Sequence, residues 1–460
     1  MALSRTVPVS VALLACLFAS ACHRGDVDYR HESGGTVQPV GRPDLVLVVV
    51  DDWALSDLEA ARTDGNPWND LPAIDSFAAL GQSWTNFYSQ PICNPTRLTL
   101  MLGAYESGDG GGVCNPPNAS TPSARVTLAS LLHDQGYATA AFGKWHIATN
   151  PDSSLDWTTA PAAYGFDAWR AWNASNLSGH CGSKDYSNWE RIDDGVAFQS
   201  FEYHTEAVGL AFLDWWRATA GPRFAYVCFQ APHQPLHTPP AHLLPSGYPA
   251  PTSNREEYEA MLVALDTLLA TMLAGIDLRD TYVFVVGDNG TPPAAVRPDQ
   301  SSARVKTTTY EDGVNVPFLV AGPGIPIGST DALGHVVDFP ATLVALAGGP
   351  VPIPAMPDSV SLVPILRDPA QRVRDHVICD VEIEASIVPN TTRDTCVVLD
   401  SADGLLKGRF YEDRLRMSLT KTYFALGVDP AENAPLSAQD PVFADEIESV
   451  LQLWTDYRQR

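Results

Sequence analysis

Along this chain, runs of aliphatic and aromatic residues are repeatedly broken off by short polar clusters. Leu45-Val46-Leu47-Val48-Val49-Val50 is the first such run, and it stops at Asp51-Asp52. An apolar run without polar alternation predicts a strand buried on both faces of a parallel sheet. Helical spacing over 127–135 ends at Gly136, and a short strand over 138–142 leads into Gly143-Lys144-Trp145-His146. A third apolar strand covers 224–229 and is followed by Ala231-Pro232-His233-Gln234-Pro235. An amphipathic helix over 256–273 and a strand over 282–286 precede Gly287-Asp288-Asn289-Gly290. Strands alternating with helices in this way predict a doubly wound α/β domain. In such a sheet the polar residues after each strand can meet in one crevice.

Beyond that domain, 318–320 reads as another strand, and Asp338 before Pro340 reads as the cap of an apolar helix reaching 347. From about 366 the pattern becomes shorter and more alternating, with strands over 377–383 and 395–399 and a closing helix over 442–457. This predicts a catalytic domain over 43–365 and a smaller α+β domain over 366–460. Residues 1–22, with Arg5, an apolar stretch over 7–19 and small residues before Cys22, have the pattern of a secretion signal, too short to span a bilayer. Ala19-Ser20-Ala21 fits ordinary cleavage, while Cys22 directly after it fits a bacterial lipoprotein signal; both remain open. Residues 23–42 are polar, contain Gly34, Gly35 and Gly41, and read as a tether. The expected location is outside the cytoplasm: periplasmic, anchored at the outer membrane through Cys22, or secreted.

Composition narrows the partners. The 460 residues are 45% hydrophobic, enough for a large core, and carry a net charge of -25 with 29 Lys and Arg in total. That balance excludes nucleic acid and favours a small or weakly charged substrate over a long polyanion. In an oxidising compartment Cys379 is expected to pair with Cys396 and Cys114 with Cys181, while Cys228 stays a buried thiol. The absence of any Cys-x-x-Cys counts against structural zinc.

The chemistry-bearing stretch is Pro91-Ile92-Cys93-Asn94-Pro95-Thr96-Arg97-Leu98-Thr99. It sets Cys93 at the start of a predicted helix with Pro95 in the first turn. Backbone N–H groups at a helix start hold anions and favour a deprotonated nucleophile, and Arg97 adds a cation one turn along. Asp51, Asp52, Asp288 and Asn289 are oxygen donors at strand ends, a set suited to a hard divalent cation. Calcium accepts an irregular oxygen shell more readily than magnesium. Lys144, His146, His233 and Lys306 are singly unremarkable, but jointly they offer cations for nonbridging oxygens and a proton for a leaving oxygen.

With these motifs in this order from about Arg42 to Asn433, the chain resembles the formylglycine-dependent, arylsulfatase-like sulfatase family of the alkaline phosphatase superfamily. The resemblance implies an alkaline-phosphatase-like doubly wound mixed sheet flanked by helices. It implies a hydrolase that cleaves a sulfate monoester, of a sulfated carbohydrate or an aryl alcohol, to alcohol and sulfate. Cys93 would be converted to formylglycine by a formylglycine-generating enzyme, and Asp51, Asp52, Asp288, Asn289 and the residue at 93 would hold one calcium ion. By the same resemblance a hydroxyl of the hydrated aldehyde attacks sulfur while the metal and Arg97 hold it, and a covalent sulfoenzyme forms. His233 or Lys306 protonates the leaving alcohol. His146 takes the proton from the second hydroxyl as sulfate is expelled, with Lys144 at the aldehyde end and Lys306 on the sulfate oxygens.

Two stretches depart from the family. Met101-Leu102-Gly103-Ala104 stands where Leu-Thr-Gly-Arg is usual, which bears on maturation of Cys93, and Asn315 stands where arginine is frequent. A phosphodiester or phosphonate hydrolase on the same scaffold, or a non-catalytic protein capturing sulfated glycans, would share parts of the set. The Cys-x-Pro-x-Arg motif and single-metal ligands favour sulfate, and none of the catalytic positions is missing. The segment 169–189, with Trp172, His180, Tyr186 and Trp189, is read two ways: as a wall of the pocket, or as a loop packed down by its aromatics.

Overall fold

The aliphatic run near the start forms the strand Asp44–Val50, with all seven residues buried. Its side chains alternate between two cores. Leu45, Leu47 and Val49 join Trp84, Phe284 and Phe318, whereas Val46, Val48 and Val50 join Phe142, Phe212 and Leu265. Both faces being covered is what a run without polar alternation requires. The computed structural model describes residues 41–105, 126–147, 157–177, 182–350, 355–385, 388–402, 404–413, 416–440 and 442–459. The expected signal at 1–22, most of the tether, Cys114, His180 and Cys181 lie outside these residues.

Parallel neighbours flank that first strand: Arg223–Phe229 on one side, with Leu45 opposite Phe224, and Thr281–Gly287 on the other, with Asp44 opposite Thr281. Ala138–Lys144 runs parallel beyond Arg223–Phe229. These four lie at the centre of a ten-stranded sheet. Phe318–Ala321, antiparallel to Thr281–Gly287, makes the sheet mixed. Helices His204–Ala218 and Asn254–Leu273 share one core with the sheet, and Cys93–Leu102, Leu128–Asp134 and Phe339–Leu346 share the other. The signals that place them are local. Thr127 and Ser130 cap each other's backbone N–H at the start of Leu128–Asp134, and Gly136 follows its end at φ +82°.

The C-terminal part is a four-stranded antiparallel sheet, His376–Ala385, Val388–Ser401, Gly404–Asp413 and Ser418–Ala425, covered by the helix Ala444–Arg458. Ile447 and Val450 of that helix share a cluster with Phe410, and Trp454 stacks on Phe410 with centroids 4.6 Å apart. Among the described residues no helix is long and apolar enough to cross a membrane.

Two expectations are corrected and one open reading is decided. Cys379 and Cys396 stand directly opposite each other on adjacent strands, yet both are free thiols. Burial, and then the neighbouring Cys396 thiol, push the Cys379 thiol well up. Asp338 does not cap the helix after it. Its carboxylate accepts the N–H groups of His335 (3.1 Å) and Val360 (2.9 Å) and pairs with Arg374. Trp172, Tyr186 and Trp189 are 0–1% exposed, so these rings are packed down and do not wall a pocket.

Gly290 follows the Asp288-Asn289 turn, and a Cβ there would lie 1.8 Å from the Asp312 carbonyl oxygen. Gly290→Ala is expected to destabilise the fold by about 2 kcal/mol or more through this overlap. Denaturant unfolding checks it, and a wild-type midpoint would refute the contact.

Candidate active site

The central strands deliver their terminal residues to one place. Asp51 N–H donates to Phe229 O (3.2 Å) and Asp288 N–H to Val50 O (3.0 Å), so the ladders hold both acids just past the strand ends. Asp52 turns there in the left-handed region, at φ +62°, and its N–H reaches Asp288 Oδ1 at 3.1 Å. Cys93 is the first residue of its helix, with Pro95 in the first turn as expected. Thr96 Oγ1 ties that start back to the carbonyls of Gln90 and Ile92, both at 3.0 Å.

Around these elements buried charges pair tightly. Arg97 is fully buried, donates to Asp288 Oδ2 through Nε (3.1 Å) and Nη2 (2.8 Å), and to the Lys144 carbonyl through Nη1 (2.8 Å). Lys144 pairs with Asp51, and Lys306 pairs with Asp52. Both ammonium groups also face the Cys93 sulfur, at 3.5 Å and 3.3 Å. The thiol itself donates to Asp51 Oδ1 at 3.1 Å. His233, with its side chain 12% exposed, places Nε2 3.9 Å from Asp52 Oδ2. His146 is partly buried at φ +55°, and its ring Nδ1 is buried without a hydrogen-bond partner among the described residues.

Protonation follows from burial and neighbours. Burial and then Asp51 push the Cys93 thiol up, so the helix start does not deprotonate it, contrary to the expectation from sequence. Against burial, Lys144, His233 and Arg97 hold Asp51 well below the usual carboxylate range. Burial and Asp51 push Asp288 up to about 7. Burial lowers both imidazoles: His146 well below its ordinary value, aided by Lys144 and Arg97, and His233 to about 4. Asp52 holds the Lys306 ammonium above its ordinary value despite burial.

The residues fit a divalent cation. Asp51, Asp52, Cys93 and His233 bring ligand atoms within 4.8 Å of one another. Asn289 Oδ1 is a fully buried oxygen without a hydrogen-bond partner among the described residues, while its Nδ2 donates to Asp52 Oδ1 at 2.7 Å. An orphaned oxygen beside excess carboxylate is what a hard cation satisfies. His233, read from sequence as catalytic, falls inside this cluster. Asp288, read as a ligand, turns Oδ2 to Arg97.

Sequence reasoning missed the residues that hold these side chains. Asn94 Nδ2 donates to the His146 carbonyl at 2.8 Å, and Tyr186 Oη donates to the His233 carbonyl at 2.7 Å. Thr309, three residues past Lys306, gives both its N–H (3.0 Å) and its hydroxyl (2.9 Å) to Asp394 of the C-terminal sheet. The sequence signals among them were the position of Asn94 between Cys93 and Pro95 and that of Tyr186 in the aromatic segment 169–189, read there for other roles.

Comparison with known proteins gives a consistent family. The model described as Sulfatase matches residues 43–349. N-acetylgalactosamine-6-sulfatase of Canis lupus familiaris is 29% identical over 376 residues, 73% of this chain and 67% of that protein. The solved structure of Ps i-CgsB in complex with k-i-k-neocarrahexaose superposes with a TM-score of 0.70 at 20% identity, covering 90% of this chain and 92% of that one. A phosphonate monoester hydrolase of Agrobacterium radiobacter also shares the fold, at TM-score 0.63 and 17% identity over 91% and 96% of the two chains.

Arg97→Met leaves the Asp288 carboxylate buried without its cation. The metal-free protein is expected to lose about 3–5 kcal/mol, read by chemical unfolding. His204, beneath the site, gives Nε2 to Asn173 Oδ1 at 2.7 Å, and burial, then Lys144 and Arg191, lowers its pKa to about 3. The folded state therefore binds fewer protons than the unfolded chain, whose imidazole titrates near 6.5. Stability present above about pH 6.5 is lost as pH falls toward about 3. A His204→Gln protein should show a shallower loss over that window; identical slopes would sink the assignment.

Proposed function

Because the chain belongs to the sulfatase family and is a sulfuric ester hydrolase, we propose that it uses a formylglycine made from Cys93 and one divalent cation to hydrolyse a sulfated carbohydrate. The observation that carries this reading is Cys93 at a buried helix start, 3.3 Å and 3.5 Å from two lysine ammonium groups and within hydrogen-bond reach of Asp51. A thiol pushed up by burial is a poor nucleophile at neutral pH, which supports its replacement by an oxygen nucleophile. Formylglycine supplies that oxygen as a hydrated aldehyde. The cation, calcium by its all-oxygen donors, would be held by Asp51, Asp52, Asp288, Asn289 and the oxygen at 93, and supplies positive charge to the reacting oxygens.

This chain's residues then divide the work. Arg97, fixed by Asp288, orients the group at 93, and Lys144 neutralises charge at its other side. Lys306, kept protonated by Asp52, is the group able to give a proton to the leaving alcohol. His233, lowered to about 4, is neutral at pH 7 and serves as a hydrogen-bond partner. His146, kept neutral by burial and its cationic neighbours, is free to take the proton whose loss lets sulfate depart. Carbohydrate is preferred to aryl sulfate because N-acetylgalactosamine-6-sulfatases stand among the similar proteins and one similar solved structure holds D-Glucosamine-2-N, 6-O-disulfate, although arylsulfatases J and A match as well. Export, with or without a lipid on Cys22, and a formylglycine-generating enzyme as maturation partner belong to the same reading.

Mass measurement of the peptide containing Cys93, from protein made in its native host, is expected to show an aldehyde oxygen in place of sulfur. Turnover of an aryl sulfate should exceed that of the matching aryl phosphonate. An intact thiol in the whole population, or preference for the phosphonate, would overturn the reading.

A further inference from the structure

The two residues between which the chemistry passes, position 93 and His146, lie on different elements, and the contact joining them comes from a side chain outside the catalytic set. Asn94 and Arg97 are three residues apart and so share one face of the helix Cys93–Leu102. Arg97 Nη1 donates to the Lys144 carbonyl at 2.8 Å, and Asn94 Nδ2 donates to the His146 carbonyl at 2.8 Å. The helix that presents the nucleophile thus grips the turn after Ala138–Lys144 at two carbonyls.

That turn needs gripping. His146 occupies the left-handed region at φ +55°, which is unfavourable for a non-glycine residue and persists only where the surroundings over-determine it. Its N–H is held by the Ala174 carbonyl at 3.0 Å, and its carbonyl by Asn94. The ring offers no restraint of its own through Nδ1, which is buried and unpartnered among the described residues. The backbone that carries the imidazole is thus pinned on one side by the neighbouring strand's extension and on the other by the residue directly after the nucleophile.

We propose that Asn94 is a positioning residue that sets His146 relative to the group at position 93. It acts through the carbonyl of His146 and touches no reacting atom. This rests on the reading of position 93 as a matured nucleophile and of His146 as its base.

The test compares wild type with Asn94→Asp, which keeps the shape but sets a carboxylate oxygen against the His146 carbonyl, and with Asn94→Ala. Rates on an aryl sulfate are normalised to the aldehyde content of each protein, read by mass, because position 94 lies inside the maturation motif. Both variants are expected to lose about tenfold or more in kcat while KM stays within about twofold, the split of a misplaced base rather than a damaged binding site. Independently of turnover, and in chains whose Cys93 is unconverted, amide hydrogen exchange in the peptide spanning Lys144–Ile147 should rise about tenfold with the global unfolding midpoint unchanged.

Wild-type kcat in Asn94→Asp, or a loss that disappears on normalisation to aldehyde, overturns the proposal. So does faster exchange without a change in kcat. A wild-type protein with neither aldehyde nor sulfatase turnover defeats the parent reading, and the proposal with it, and is told apart by needing no variant. If both variants instead unfold early, Asn94 is a fold residue and the proposal falls.

Discussion

Asp51, Asp52 and Asp288 are kept from water at the ends of adjacent strands, and three desolvated carboxylates can stay there only if cations are delivered to them. Much of the surrounding architecture follows from that delivery. Arg97 comes from a helix start, Lys144 from the end of a strand two places across the sheet, and Lys306 from a loop after the neighbouring strand. Each must be brought in from a distant part of the chain. The loop bearing Lys306 is held at Thr307 by the Pro91 carbonyl (2.9 Å), at Lys306 N–H by the Thr291 carbonyl (3.0 Å), and at Thr309 by Asp394.

Magnitudes decide how Cys93 behaves. A helix terminus stabilises a negative charge by about 0.3–1 kcal/mol when exposed and by about 2 kcal/mol in a favourable partly buried setting. Each unit of pKa corresponds to about 1.4 kcal/mol, and full burial moves a group by several units. At Cys93, buried and facing Asp51, desolvation exceeds the dipole. The helix start and the two lysines are therefore suited to charge that appears during reaction on an oxygen, not to a resting thiolate.

What was legible in the sequence was what each segment decides alone. The aliphatic runs could be read as doubly buried strands because every residue in them, from Leu45 to Val50 and from Phe224 to Phe229, is apolar. The acids and cations stood out because they interrupt those runs. Contacts between distant segments were not legible. Asp338 has the position of a helix cap, but its carboxylate is taken by Arg374, by the Val360 N–H and by the nearby His335 N–H. Trp172 and Trp189 could equally stack on a sugar or fill a core until the Ala168–Asn173 and Trp189–Asp193 strands are seen to add to the sheet. The cross-strand register of Cys379 and Cys396 was anticipated as a bond and is present as a juxtaposition.

Because Asp394 in the C-terminal sheet grips Thr309, and Arg409 braces both at 3.2 Å, the large sheet and the C-terminal sheet belong to one compact unit. The loop that carries Lys306 is kept in place from the C-terminal sheet. The two parts are consequently not interchangeable cassettes. A replacement of the C-terminal sheet would keep this anchor only if the carboxylate of Asp394, the guanidinium of Arg409 and the hydroxyl of Thr309 were all retained, so the three positions act as one fastening.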